Sequence, residues 1–201
     1  MIVKFSIKDC AIDLGDSEIG KLTILSEQDK DTLLTMLAAV MSCNEDEISI
    51  YDEGYNQLDS EKYIMYFGNP LTQINPFGSF ETDLRTYIAK NLCPYQIDEI
   101  EQKWAELQES LQKVLFTFNF PTTIRQEFGV KNILRDFQVG IDGYKCDSAY
   151  DKISLMIRLG RMLHPEKIMV FCDLTSYLKA SELEQLEEFC RNVTAKVILI
   201  N

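Results

Sequence analysis

Two short apolar runs near the C terminus constrain the fold more than any other feature of the chain. The segments KIMVFCD (Lys167–Asp173) and KVILI (196–200) are apolar almost throughout, and a single helical pattern separates them. Strands that are apolar on both faces are typical of parallel sheets covered by helices. Strand, helix and strand in succession therefore predict a parallel βαβ unit.

The rest of the chain extends this pattern and interrupts it once. Further strands are predicted at IVKFSI, KLTIL, EISIYD and KYIMYF, and a helix over SEQDKDTLLTMLAAVMS. Only helical patterns follow, until the strand pattern resumes at Lys167. We therefore predict an α/β domain with a mostly parallel sheet, formed by residues 1–74 and 165–201. An all-helical domain is inserted between them at 75–164.

Helical spacing and capping signals place the helices. Within the insertion the predicted helices are ETDLRTYIAKNL, QIDEIEQKWAELQESLQKVLFTF, TTIRQEFGVKNILRDF and SAYDKISLMIRLGRML. The second of these carries one apolar stripe, formed by Ile97, Ile100, Trp104, Leu107, Leu111, Leu115 and Phe118. Ser148 with Asp151 predicts a capping box at the start of one helix, and Ser181 with Glu184 predicts another.

The segment Gly15–Leu22 (GDSEIGKL) nearly matches the phosphate loop GxxxxGK, although Leu22 stands where Ser or Thr is expected. A phosphate loop must end a strand and open a helix. Here Lys21 continues into the strand KLTIL, so the segment is interpreted as a hairpin loop. The next strand-to-helix junction, Ser26–Asp31, carries three carboxylates, which would repel a triphosphate. The sequence predicts an NTPase-like sheet of degenerate phosphate-loop type that binds no nucleotide.

Catalytic motifs are scarce elsewhere. Asp173 ends an apolar strand, as a magnesium ligand does in phosphate-loop enzymes, but an aspartate that accepts backbone N–H bonds is the favoured interpretation. His164, the only histidine, precedes Pro165 at a helix end, where capping or packing is favoured over catalysis. We therefore predict a protein that is not an enzyme.

Composition restricts the compartment and the partners. The 201 residues carry a formal net charge of -12, which argues against a sequence-blind nucleic-acid coat but leaves room for a local basic patch. Six cysteines form no CxxC pair, which favours a reducing cytoplasm. No signal peptide and no membrane span is recognised.

In the stretch 122–163 basic residues exceed acidic ones, seven to five. Lys131 and Arg135 are four residues apart and Arg158 and Arg161 three apart, so each pair is expected to share a helix face. One interpretation is a stripe that contacts DNA phosphates, and the other is a solvated face with intrachain ion pairs. The predicted nucleic-acid-binding residues are Arg125, Lys131, Arg135, Lys152, Arg158 and Arg161.

The order of elements resembles that of the Csn-two family, the spacer-acquisition protein of type II-A CRISPR systems. Three segments carry the resemblance. They are the strand KLTILS, which is followed by a helix, the segment YIMYFGNPL before the helical insertion, and the final strand–helix–strand unit KIMVFCDLTSYLKASELEQLEEFCRNVTAKVILI. It covers nearly the whole chain in layout.

The resemblance implies a ring-shaped homotetramer that encircles double-stranded DNA, engages its ends and slides without sequence preference or cleavage. It also implies that the protein acts in the bacterial cytoplasm, together with the CRISPR integrase and the type II effector nuclease and without a membrane partner. Finally, it implies that the protein binds calcium. The calcium-binding region of the family is rich in carboxylates, whereas FTFNFPTTIRQEFG carries only Glu127, so no calcium ligand is assigned here.

Two alternatives stay open. The first is a protein-interaction scaffold without DNA affinity, which would use the Trp104 stripe and the acidic stretch Ser26–Lys62 as docking surfaces. The second is a nucleotide hydrolase that uses Lys21 and Asp173.

Overall fold

The structure is a computed structural model that describes residues 2–5, 10–14, 19–22, 35, 48–52, 54–118, 124 and 127–200. Some sequence-based predictions lie outside these residues. They are residues 23–25 of the strand KLTIL, the helix over 26–42 except for Thr35, which is helical, and the candidate Arg125.

The described part of the parallel sheet has four strands. Their spatial order is β3 (Ile19–Leu22), β8 (Lys196–Ile200), β7 (Ile168–Cys172) and β6 (Ile64–Gly68), and each neighbouring pair is parallel. Every residue of β7 and the last four of β8 are buried, as expected for central strands covered on both faces. The parallel pairing predicted from the apolar runs is confirmed, and the protein is a mixed helix-and-sheet α/β fold.

The sequence did not predict that some of the strands form a second, separate sheet. It consists of β2 (Cys10–Asp13), β1 (Ile2–Phe5), β4 (Ile48–Tyr51) and β5 (Gln57–Leu58) in that spatial order, all antiparallel. The residues of β4, and those of β1 whose burial is described, alternate between a buried and a more exposed face, as in antiparallel sheets with one side in solvent. The buried residues of β1 and β4 share one hydrophobic cluster with β7 and β8, so the two sheets pack on a common core.

The hairpin predicted for the loop before Lys21 is wrong. The antiparallel partners of β1 are β4 and β2, of which β2 is a strand the sequence did not reveal, and β3 lies in the other sheet beside β8. Lys21 itself is a strand residue paired with Leu199. The physical reason is that β3 can pair in parallel with β8, a long buried strand. β3 therefore lies in a different sheet from β2 and does not form a hairpin with it.

Six α-helices are described. They are α1 (Ser60–Tyr63), α2 (Gly78–Asn91), α3 (Pro94–Phe116), α4 (Val130–Asp136), α5 (Ala149–Leu163) and α6 (Ala180–Val193). The helix predicted from Thr122 begins only at Val130, and residues 127–129 are not helical. Gly129 holds an extended conformation at the N-cap, which ends helical backbone on its N-terminal side.

One capping box is confirmed and the other is displaced. At α5 the Asp151 N–H donates to Ser148 Oγ at 3.1 Å, and the Ser148 N–H donates to the Asp151 carboxylate at 3.1 Å. The box predicted at Ser181 is wrong, because α6 begins at Ala180 and the N–H of Lys179 donates to Glu182 Oε2 at 2.7 Å.

The chain divides into two compact units. The first comprises Met1–Phe77 and Asp142–Asn201, and the second comprises Gly78–Ile141. The second boundary differs from the predicted one at residue 164, because α5 belongs with the sheets. A Cβ on Gly160 of α5 would meet the Met169 sulfur, so this helix lies directly on β7. Among the described helices, none is both long enough and apolar enough to cross a bilayer.

Candidate nucleic-acid interface

The carboxyl ends of parallel strands are where α/β folds usually bind ligands, so the ends of β6 and β7 are the first candidate ligand site. Asp173 follows β7 in a left-handed conformation with φ 57°, and its N–H donates to the Ile200 carbonyl at 2.9 Å. Its main-chain carbonyl accepts the Ser176 N–H at 3.2 Å, while its side chain makes no capping hydrogen bond to the turn Leu174–Ser176. Main-chain hydrogen bonds therefore organise this turn.

A tyrosine and a thiol lie beside this turn. The Cys172 sulfur lies 3.8 Å from the Tyr66 hydroxyl. Burial raises the pKa of Tyr66, and the neighbouring Cys172 and Asp173 raise it further. A neutral phenol, a buried thiol and a carboxylate do not favour a phosphate group at these two strand ends. The position of Lys21 inside β3 points the same way, since a phosphate-loop lysine must stand at a helix N-terminus.

Within the described part of the chain, His, Cys, Asp and Glu side chains form no group of three that could hold an ion. The carboxylate of Asp52 instead accepts the side-chain amide of Asn56 at 3.0 and 3.2 Å and the N–H groups of Asn56 and Gly54, each at 2.8 Å. These bonds, that of the Asn56 side chain above all, lower the pKa of Asp52 and close a surface turn. The described residues thus provide no ready calcium site.

Two of the predicted DNA-binding residues lie on α4. Lys131 and Arg135 are both exposed and stand one helical turn apart, as the spacing predicted. Arg135 Nε donates to the carboxylate of the adjacent Asp136 at 3.1 Å. An exposed pair of this kind contributes little to stability, so the guanidinium can exchange Asp136 for another anion at small cost.

Arg161, on α5, has a structural role that the sequence did not indicate. Its guanidinium donates to the Val193 carbonyl at 3.3 Å, to Thr194 Oγ1 at 3.2 and 3.3 Å, and to the Pro165 carbonyl at 2.8 Å. Val193 is the last residue of α6 and Thr194 is its C-cap. The arginine thus places a positive charge at the negative end of the α6 dipole and satisfies carbonyls that helix ends leave open.

Arg158 lies on the same side of α5. Its guanidinium carbon stands 5.7 Å from the centre of the Phe189 ring on α6. The shared face predicted for Arg158 and Arg161 is therefore real, but it is the face toward α6. That helix carries four glutamates and one arginine, and such an excess of carboxylates disfavours an approaching phosphate backbone.

The candidates are thus distributed unevenly. Lys131 and Arg135 belong to the second unit, whereas Lys152, Arg158 and Arg161 belong to the first. Lys152 is half-buried, and Arg125 lies outside the described residues. Of the five described candidates, the two on α4 best match the requirement for exposed cations. The role of Arg161 could not be found from the sequence, because its acceptors Val193 and Thr194 lie more than thirty residues away.

Comparison with known proteins adds a fold likeness. The chain superposes on the crystal structure of Stu0660 of Streptococcus thermophilus with a TM-score of 0.57 and 13% sequence identity. The alignment covers 100% of this chain and 69% of that one. No protein-family model and no curated protein matches the chain. At such low identity the likeness to Stu0660 concerns the fold alone.

Proposed function

We propose that this protein is a non-catalytic ring that binds the ends of double-stranded DNA without sequence preference and acts in type II-A CRISPR spacer acquisition. The proposal extends to self-association, to calcium as a stabilising ion, and to partnership with the CRISPR integrase and the type II effector nuclease in the bacterial cytoplasm. No membrane partner is proposed.

The observation that carries the proposal is the layout of the chain. Its order of elements resembles the Csn-two family from end to end, and a solved structure from Streptococcus thermophilus shares the fold along the whole of this chain. The division into a discontinuous first unit and an inserted second unit supports the proposal. The placement of Lys21 in a strand supports a non-catalytic role.

A topological assay tests the proposal directly. Purified protein is mixed at low salt with a linear duplex or with a covalently closed circle of the same sequence, with calcium or with a chelator. Binding to the linear form alone supports threading onto ends. Equal binding to both forms would replace the ring with an open groove, and a folded protein that binds neither would refute the DNA-binding role.

A pair of variants tests the contact residues. Replacing Lys131 and Arg135 with alanine should weaken binding and reduce the slope of log K against log salt by about 2, since each phosphate contact contributes about 0.9. The control removes the same charge from α3, where Lys103 and Lys113 are paired with Glu106 and Glu109. An equal loss in the control would show that net charge, and not a contact site, controls binding.

A scaffold without DNA affinity is the second candidate, and α3 favours it. This helix of 23 residues has no fully buried residue and exposes several large apolar side chains. A scaffold predicts stable self-association together with no DNA binding even at low salt. Nucleotide hydrolysis by Lys21 and Asp173 would require activity that disappears in Lys21→Ala.

A further inference from the structure

Helix α4 carries the two best candidates for phosphate contacts, yet it is too short to hold its own position. An isolated helix of fewer than about 12–15 residues is marginal in water, and α4 has seven. Its apolar residues Val130, Ile133 and Leu134 are only half-buried, and none of the residues of α4, all of which are described, is fully buried. Apolar burial is therefore a weak constraint on where this helix lies.

Hydrogen bonds close the C-terminal end of α4. The Gln138 N–H donates to the Arg135 carbonyl at 2.9 Å. The Val139 N–H donates to the Leu134 carbonyl at 2.8 Å. Because Gln138 also holds the left-handed conformation, these two bonds form a Schellman motif. The motif fixes the direction of the chain that follows α4 relative to the axis of the helix.

Two side chains of α2 hold the chain that leaves this motif, and we call them the α2 clamp. Arg85 Nε donates to the Val139 carbonyl at 2.7 Å, and Arg85 Nη2 donates to Glu81 Oε2 at 2.9 Å. Glu81 lies against the next residue along the chain, because a Cβ on Gly140 would stand 3.2 Å from Glu81 Oε1. The Arg85 side chain is only 15% exposed, so its bonds are shielded from water far better than those of a surface pair.

We infer that the α2 clamp positions α4, so that Lys131 and Arg135 are presented together to the DNA backbone. A group that contacts a ligand needs neighbours that fix its place, and the clamp provides them for this helix. Arg85 is thus a positioning residue, since its guanidinium is bonded to Val139 and Glu81, whereas the two cations of α4 are exposed. This role rests on the proposed function, because it names what holds the helix that contacts DNA.

A salt series of duplex binding with the full chain tests the role of Arg85. Arg85→Lys keeps the charge but loses the planar fork that bonds two acceptors at once. Its slope of log K against log salt should fall by about 1–2, as if one or both phosphate contacts were lost. The control Lys90→Met removes a charge from an exposed position of the same helix and should bind more tightly than Arg85→Lys. Wild-type binding by Arg85→Lys would overturn the inference.

The other half of the clamp gives a test in which electrostatics predicts the opposite sign. Glu81→Ala removes a carboxylate, which by charge alone should strengthen binding to DNA. Loss of the clamp should instead weaken it. Glu101→Ala removes a carboxylate from an exposed position of α3 and should bind as well as the wild type or better. Tighter binding by both variants would show that Glu81 acts only as a charge.

A double-mutant cycle shows whether the clamp acts through the cations of α4. In the wild-type background Arg85→Lys should lower DNA affinity by about tenfold, within the range of coupling between residues of one network. In a chain that already carries Lys131→Ala and Arg135→Ala, it should change affinity by less than about twofold. An equal loss in both backgrounds would show that Arg85 affects binding by another route.

Hydrogen exchange followed by mass spectrometry tests the clamp without DNA. Arg85→Lys should speed exchange in the peptide that spans α4 and Val139 and leave exchange in α3 unchanged. Unchanged exchange in α4, or faster exchange throughout the chain, would overturn the positioning role. A wild-type chain that binds no DNA refutes the proposed function, and exchange alone then decides whether the clamp holds α4. Normal DNA binding by Arg85→Lys refutes the clamp and leaves the proposed function standing.

Discussion

Replacing Arg161 with methionine should destabilise the fold without removing a DNA contact. The substitution keeps the aliphatic stem of the side chain but removes the donors to the Val193 and Pro165 carbonyls and to Thr194 Oγ1. A hydrogen bond with one charged partner contributes about 1.5–3 kcal/mol, and a cation at a helix C-terminus about 0.3–1 kcal/mol. Because the site is partly exposed and the bonds share one guanidinium, we expect a net loss of about 2 kcal/mol in the free energy of unfolding.

Urea denaturation measures this loss as a lower midpoint with an unchanged m-value. Arg158→Met is the matched control, since it removes the same charge from the same helix. This variant should lower the free energy of unfolding by only about 0.5–1 kcal/mol, which is the contribution of an exposed cation–π contact. If Arg161→Met left stability unchanged but weakened DNA binding, the guanidinium would face phosphate, and the capping argument would be refuted.

Three further predictions follow from local geometry. Gly160→Ala should lower the free energy of unfolding by about 1–3 kcal/mol, because its Cβ would overlap the Met169 sulfur; a melt that matches the wild type would show that Met169 can move aside. Gln138 holds φ 54° after α4, so Gln138→Gly should raise the free energy of unfolding by about 0.5–1 kcal/mol, and a lower urea midpoint would contradict this expectation. The raised pKa of Tyr66 means that its neutral form stabilises the fold below the ordinary tyrosine pKa, and this contribution is lost as pH rises. Ultraviolet titration should find one tyrosine fewer ionising in the normal range, and Tyr66→Phe should remove that difference.

The central strands could be predicted because their signal is local. β7 is an uninterrupted apolar run and β8 is one after Lys196, and short runs of this kind are typical of strands buried on both faces. By contrast, β2 is four residues long, includes a cysteine and an aspartate, and lies next to turn-rich sequence, so nothing in its composition marks a strand. Its existence depends on the pairing with β1, which is a tertiary fact.

The candidate site shows the same division. The shared face of Lys131 and Arg135 follows from helical spacing and could be anticipated. Arg161 looks identical to them in the sequence, yet its donors are committed to a helix end that lies far along the chain. Only the packing of α5 and α6 distinguishes a cation that holds the fold from one that faces solvent.

The position of β8 has a consequence for the order in which the protein folds. This strand lies between β3 and β7, yet it is synthesised after every other strand described. Until it emerges, β3 lacks its described partner and the buried edge of β7 is open, so the early part of the nascent chain displays unpaired apolar backbone. The second unit, whose contacts are local, can form well before this closure. We expect a nascent chain that stops before Lys196 to be recognised by chaperones and to gain protease resistance in its sheets only when β8 is present.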